Sequence, residues 1–318
     1  MKKLISLLLA LSLTVALCAC GGGAAEAKKY TVGICQLVQH DALDAATKGF
    51  RDALGEELGD AVVFDEQNAS GDIPTCATIC NGFAAAKVDL IMANATPALQ
   101  AAVAATDSIP ILGTSVTEYG VALGIENFTG VAGGNVSGTS DLAPLDQQAQ
   151  MIVDLFPDAK TVSIVYCSAE ANSTYQVKVV TEKLEAKGIT VNAFAFADSN
   201  DVSAVTQSAC ADADVLYIPT DNTAASCAEA IGNIAEPAGV PIIAGEEGVC
   251  KLCGVATLTI NYYDLGVTTG KMAARILKGE ANIAEMPVEY FPEPVKKYNP
   301  ALAEAFGVTI PADYVAIE

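Results

Sequence analysis

The sequence predicts an α/β protein of two similar lobes, each a parallel sheet with helices on both faces. Three observations carry this. From Lys28 onward, short apolar runs alternate with amphipathic segments, the order that builds parallel sheets from strand-helix units. The apolar runs form two series of four, beginning at 31, 61, 88 and 109 and then at 161, 190, 214 and 240. Polar residues gather just past the ends of corresponding runs in both series.

In the first series, strands are expected over 31–37, 61–67, 88–94 and 109–114, with helices over 42–58, 72–86 and 97–106. Thr96 followed by Pro97 reads as an N-cap with proline in the first turn. In the second series, strands are expected over 161–166, 190–196, 214–219 and 240–244, with helices over 173–187, 202–210 and 223–236. Val177, Val180 and Leu184 recur at spacings of three and four, the stripe that a helix buries. Ser173 with Gln176 fits a capping box. The series also match in detail, since Asp89-Leu-Ile-Met-Ala and Asp214-Val-Leu-Tyr-Ile each occupy the third strand.

The polar clusters are Gln36 to His40 and Asn94 to Pro97 in one half, Ser168 to Ser173 and Thr220 to Thr223 in the other. Open α/β sheets bind ligands beyond the carboxyl ends of their strands, and helix N-termini present free amides to an anion. Two lobes facing each other with those ends would enclose a small molecule.

The N-terminus bears on location. Lys2 and Lys3 precede an apolar run from Leu4 to Leu17, followed by Cys18-Ala19-Cys20 and three glycines. The run is shorter than the roughly 20 residues of a membrane-spanning helix and reads as a secretory leader. Leu17-Cys18-Ala19-Cys20 looks like a lipoprotein box. Residues 1–19 are then the signal peptide, Cys20 the lipidated first residue and 20–29 a flexible tether. The expected location is the extracytoplasmic face of the cell membrane. With 17 basic against 38 acidic residues the formal charge is −21, which argues against nucleic acid and against electrostatic adhesion to anionic lipid. A lipid on Cys20 would therefore be the means of attachment.

Reactive chemistry is sparse. His40 is the only histidine, so a Ser-His-Asp triad would have to use it. Ser137 does not sit in G-x-S-x-G. Gly266-Val-Thr-Thr-Gly-Lys271 is one residue short of a P-loop and continues with Met272. Binding without catalysis is the better reading, with no catalytic residues, cofactor or metal site. Of the 10 cysteines, two lie in the leader and its cleavage site. Cys35, Cys167, Cys210 and Cys227 sit in apolar runs, where cysteine acts as a small hydrophobe. Cys76 and Cys80 are spaced for one helix face, and Cys250 and Cys253 are the one pair that a turn would let bridge. A single histidine and no second Cys-x-x-Cys leave zinc short of ligands. Most thiols are expected to be free.

Seven segments in order resemble the substrate-binding lipoproteins of tryptophan/tyrosine-type ABC transporters, across residues 28–318. They are Val32 to His40, Ala93 to Pro97, Asn135 to Asp141, Ser168 to Ser173, Pro219 to Thr223, Gly245 to Gly248 and Ile260 to Tyr263. The resemblance implies a type I periplasmic-binding fold whose two Rossmann-like lobes are joined by a three-segment hinge. The crossings should fall near Asp141–Pro144, Thr257–Asn261 and Pro287–Phe291. Residues 28–142 with 262–286 would form one lobe, and 143–261 with 287–318 the other. It further implies capture of an amino acid, aromatic by family, for an ABC permease, by a monomer. Asp41 stands where proline is usual in the family, and Glu118-Tyr119 where Asp-Pro is usual.

With only Arg51 and Arg275 available, both on predicted helices away from strand ends, hydroxyls and backbone amides must hold the ligand carboxylate. Ser168, Asn172 and Ser173 are expected to form that wall, with Asp221 pairing with the ammonium. Gln36 and Thr96 approach from the other lobe, and Tyr262 lines the side-chain pocket. His40, Thr117, Asn222 and Glu246 complete the expected site. A nucleoside or sugar receptor of the same fold is the alternative. The absence of tryptophan, on which sugars often stack, counts against a sugar.

Overall fold

The computed structural model of the protein describes residues 28–291 and 293–318. The leader, Cys20 and most of the tether lie outside the described residues. Two sheets form the framework. The first contains β1 (Tyr30–Gln36), β2 (Val62–Asn68), β3 (Leu90–Asn94), β4 (Ile111–Val116), β5 (Val136–Ser140) and β11 (Glu289–Tyr290), in the order β11-β5-β4-β3-β1-β2. The second contains β6 (Thr161–Cys167), β7 (Thr190–Phe196), β8 (Val215–Ile218), β9 (Ile242–Ala244), β10 (Ala256–Thr259), β12 (Val295–Tyr298) and β13 (Val315–Ala316), in the order β13-β12-β10-β9-β8-β6-β7. All neighbours pair in parallel except β10 with β12.

Central β3, β4, β8 and β9 are buried at every residue, while edge strands β2 and β7 carry exposed positions. That contrast is what helices on both faces produce. Two apolar clusters flank each sheet, around Phe83 and Phe50 in the first lobe and around Phe196 and Tyr217 in the second. The fold is thus the expected two-lobed type I periplasmic-binding architecture.

The chain passes between sheets three times. It leaves β5 for the helix Leu145–Leu155 of the second lobe, returns after β10 to the helix Tyr262–Leu277, and leaves again between β11 and β12. The last passage comes later than the expected boundary at 287. Glu289–Tyr290 still pairs with Thr139–Ser140 of the first sheet, and Ser137 Oγ donates to the carbonyls of Met286 and Pro287 at 3.1 and 3.2 Å.

Three expected helix starts or spans need correction. The helix expected from 173 begins at Ala171, so Glu170, not Ser173, occupies the N-cap position. Ala95, not Thr96, precedes the helix Thr96–Ala105, with φ of 94°. The helix expected over 223–236 is broken at Cys227 into Asn222–Ser226 and Ala228–Ala235.

The P-loop-like glycines have a packing role. Helix Asp41–Leu58 lies against helix Tyr262–Leu277 so closely that a Cβ on Gly266 would sit 2.0 Å from the Ala46 carbonyl oxygen. A Cβ on Gly49 would sit 2.1 Å from the Tyr263 carbonyl oxygen, and one on Gly270 2.6 Å from that of Phe50.

All eight cysteines among the described residues are free. Cys250 and Cys253 both lie on the helix Glu247–Cys253 and not on a turn. Cys250 Sγ donates to the Gly254 carbonyl at 3.5 Å, and burial pushes the Cys253 thiol up to about 12. Thiol titration of the unfolded, unreduced chain should therefore find these eight reactive. A chain in which any two of the eight are joined, its mass lower by the two hydrogens of a disulfide, would contradict this.

Candidate functional site

Because the strands of each sheet run parallel, their carboxyl ends share one edge, and the two edges face each other. The first lobe brings Ala95-Thr96, Ser115-Val116-Thr117 and Asp141 to this gap. The second brings Glu170 to Ser173, Thr220 to Asn222 and Gly245 to Gly248. Of the five described non-glycine residues with positive φ in the first lobe, two lie at this gap, Ala95 with φ of 94° and Ser115 with φ of 53°. Ser115 falls where the pairing of β4 with β5 shifts register. Strain of this kind in non-glycine residues clusters at binding sites.

The gap holds every buried acid among the described residues: Asp141, Glu170, Asp221 and Glu246. Asp221 accepts from the amides of Cys167 and Ala224, at 2.6 and 2.8 Å. Glu246 caps the helix Glu247–Cys253 through the amides of Gly248 and Val249, both at 2.6 Å. Glu170 accepts from the Thr223 amide and hydroxyl on one oxygen, and from Asn172 Nδ2 and the Asn222 amide and side chain on the other. Asp141 differs. One oxygen accepts from the Tyr262 hydroxyl at 3.0 Å, and the other has no partner among the described residues.

Taking a carboxylate out of water raises its proton affinity. Burial pushes Asp141 up to about 6. Burial and then the nearby Glu170 charge push Asp221 up to about 7. Burial also raises Glu246, with His40 pulling the other way.

The remaining expected residues divide. Gln36 is used up within its own lobe, donating to Asp44 and Val38 and accepting from Thr47. Ser168 is exposed, and its hydroxyl donates to the Phe196 carbonyl at 3.1 Å on the neighbouring strand, away from the gap. His40 reaches across the gap, with Nε2 3.2 Å from Asn222 Oδ1. Thr96, Thr117, Asn172 and Ser173 are buried at the gap. Asn172 donates to the Thr220 carbonyl at 3.1 Å, and its own Oδ1 is unpartnered, as is Ser115 Oγ. Tyr262 also borders a cavity of about 500 Å³ beside the second and third crossings, which Ala42, Ala45, Ile260 and Phe291 share. The residues missed by sequence reasoning are Asp141, Ser115 and Glu170. The only signal for two of them was position, Glu170 inside the Ser168 to Ser173 segment and Asp141 closing Asn135 to Asp141.

Buried polar atoms without partners are uncommon, and Asp141 Oδ1, Asn172 Oδ1 and Ser115 Oγ lie on both sides of one interlobe gap. Such an arrangement suits a small polar ligand held through hydrogen bonds from both lobes.

Comparison with known proteins gives a consistent result. The sequence profile of a family described as ABC transporter substrate binding protein matches residues 31–316. A tyrosine-binding protein from Clostridioides difficile (strain R20291) is 38% identical over 264 residues, 82% of this chain and 76% of its own length. The structure of an ABC domain in complex with L-Trp from Streptococcus pneumonia superposes with a TM-score of 0.85 at 33% identity, covering 90% of this chain and 97% of that one. A ligand-free, open substrate binding protein with adhesive properties from Clostridium difficile is 38% identical, covering 91% of this chain and 100% of its own. It superposes with a TM-score of only 0.67. The more similar sequence thus gives the poorer superposition, as expected if the lobes of this chain stand closed, in line with the His40–Asn222 contact.

Proposed function

The chain belongs to the family of ABC transporter substrate-binding proteins, and from that premise we propose that it captures an aromatic amino acid between its lobes and delivers it to a membrane permease. The observation that carries the reading is the set of unpartnered buried polar atoms on both lip surfaces of the gap. A zwitterion presents a carboxylate and an ammonium to such a set. Thr96 and Ser115 at the strained strand ends of the first lobe, with Asn172 and Ser173 of the second, supply hydroxyl, amide and carbonyl groups for it. Tyr262, Ala42, Ala45, Ile260 and Phe291 give the adjoining cavity an apolar side on which an aromatic ring can lie, while charged side chains including Asp41, Glu246, Glu247, Lys251 and Lys297 line the rest. Its volume is within the range of small-molecule sites.

The protein acts outside the cytoplasm as a non-catalytic receptor, held by lipid on Cys20. Its strong negative charge gives it no means of adhering to anionic lipid unaided. No described helix is long and apolar enough to cross a membrane.

Melting curves with a panel of amino acids, nucleosides and sugars test this. Ligand at about 100 times Kd should stabilise by ~2.7 kcal/mol, a rise of about 4 °C for a chain of this size. Tyrosine, tryptophan or phenylalanine should give the largest rise. A rise with nucleosides or sugars alone would move the assignment to that class of ligand, and no rise with any amino acid would end the proposal.

A further inference from the structure

Four carboxylates are buried at the lobe interface, and only one has an oxygen to spare. Asp221, Glu170 and Glu246 each have both oxygens occupied by hydrogen-bond donors of their own lobe. Those bonds fix the starts of the helices Asn222–Ser226 and Glu247–Cys253 and give each of these oxygens a donor before any ligand arrives. Asp141 stands immediately past β5, faces Tyr262 across the root of the hinge, and caps nothing. Asp141 is 4% exposed and its free oxygen is buried, and an unpaired carboxylate oxygen so placed is unfavourable unless a cation meets it.

We propose that Asp141 is the group that receives the ligand's ammonium, and therefore the residue that makes the site select amines over otherwise identical acids. This rests on the amino-acid reading above and replaces Asp221, whose position as helix cap explains its geometry without a ligand. Tyr262 is a positioning residue for it: its hydroxyl holds one carboxylate oxygen and so directs the other.

The titratable groups that face Asp141 are Tyr262, Tyr119 and Glu246. Both tyrosines are raised well above their ordinary range and stay neutral below it, and Glu246 is raised by burial. Burial sets Asp141 itself at about 6 in the absence of ligand, against the opposing pull of Thr117 and Tyr262. As pH falls through that value the carboxyl takes a proton and can no longer pair with an ammonium. Affinity for an amino acid should then weaken by about tenfold per pH unit.

Calorimetric titration with L-tyrosine and L-tryptophan, each beside its analogue lacking the amine, tests the assignment on wild type and on Asp141→Asn. Wild type should prefer the amino acid, and Asp141→Asn should lose about tenfold or more of that preference, the value of a charge-assisted hydrogen bond. The loss of affinity at acid pH should appear with the amino acid, be absent with the analogue, and vanish in Asp141→Asn. Tyr262→Phe provides a second route: without the hydroxyl that favours the ionised form, the midpoint of the pH profile should move up. If wild type binds no amino acid, the amino-acid reading fails and this assignment with it. If wild type prefers the amine and Asp141→Asn keeps that preference in full, only the Asp141 assignment is overturned, as it is by an unmoved midpoint in Tyr262→Phe.

Discussion

Gly266→Ala is expected to be among the most destabilising single-methyl additions to this chain. The added Cβ would lie 2.0 Å from the Ala46 carbonyl oxygen and 2.8 Å from its carbon, so one helix backbone would have to withdraw from the other. Neither side of that contact is a flexible side chain. Overpacking of a rigid core costs roughly 1–3 kcal/mol and occasionally more, and backbone against backbone belongs at the upper end. About 3 kcal/mol corresponds to a fall in melting temperature on the order of 5 °C for a chain of this size. Gly82→Ala is the control, because its Cβ meets nothing within 4 Å. It should hold or raise stability, since alanine is the better helix former by roughly 1 kcal/mol. A Gly266→Ala protein that melts with the wild type would show that the two helices do not pack as described. The consequence reaches the site, because helix Tyr262–Leu277 carries the tyrosine that holds Asp141.

That glycine pattern also marks a limit of sequence reading. Gly266-Val-Thr-Thr-Gly270 resembled a phosphate loop cut short, and nothing local distinguishes a helix-packing glycine from a loop glycine. Its meaning lies in Ala46 and Phe50, more than two hundred residues away in sequence. The framework was legible because its signals are local. Strand-helix alternation, the repeated series and matched polar ends each follow from burial on both faces of a parallel sheet, and the two sheets carry them. The site was legible only as a neighbourhood. Asp221 and Asn172 were placed at the right strand ends, but which oxygen is free depends on amides brought in by other segments. Cys167 donates to Asp221 from 54 residues away. Ser168 pointed away from the gap because Phe196 on β7 supplies the carbonyl that its hydroxyl meets. The capping box read at Ser173 failed for a similar reason. Gln176, which should have returned to the cap, donates instead to Asn172 and Thr220 and accepts from the Thr220 amide.

Glu170→Ala should produce a loss as large as that of Gly266→Ala, by a different route. The carboxylate gathers five donors from Asn172, Asn222 and Thr223 and is 1% exposed. Its removal leaves the amides of Asn222 and Thr223 at the start of helix Asn222–Ser226 and the Asn222 side-chain amide without these acceptors, while Asn172 keeps the Thr220 carbonyl. Each orphaned buried donor costs about 1–3 kcal/mol, and some relaxation toward water will spare part of that, so about 3–5 kcal/mol is expected in total. Glu170→Gln keeps the volume but turns an NH2 group toward donors, so it should rescue only part of the loss. Ligand affinity should fall in both, because Asn222 Nδ2 sits 2.6 Å from Glu170 and its Oδ1 is what meets His40 of the opposite lobe. The pH dependence separates this role from mere packing. In wild type the Glu170 charge helps hold Asp221 up at about 7. That raised value means stability present below the ordinary Asp range and lost as pH rises through about 7. Removing Glu170 relieves the ionised Asp221 but does nothing for the protonated one. The destabilisation by Glu170→Ala should therefore be smaller at pH 8 than at pH 5. Denaturant titrations of the two proteins at both pH values would measure it, and an equal loss at the two would mean that the Glu170 and Asp221 charges do not interact across the start of that helix.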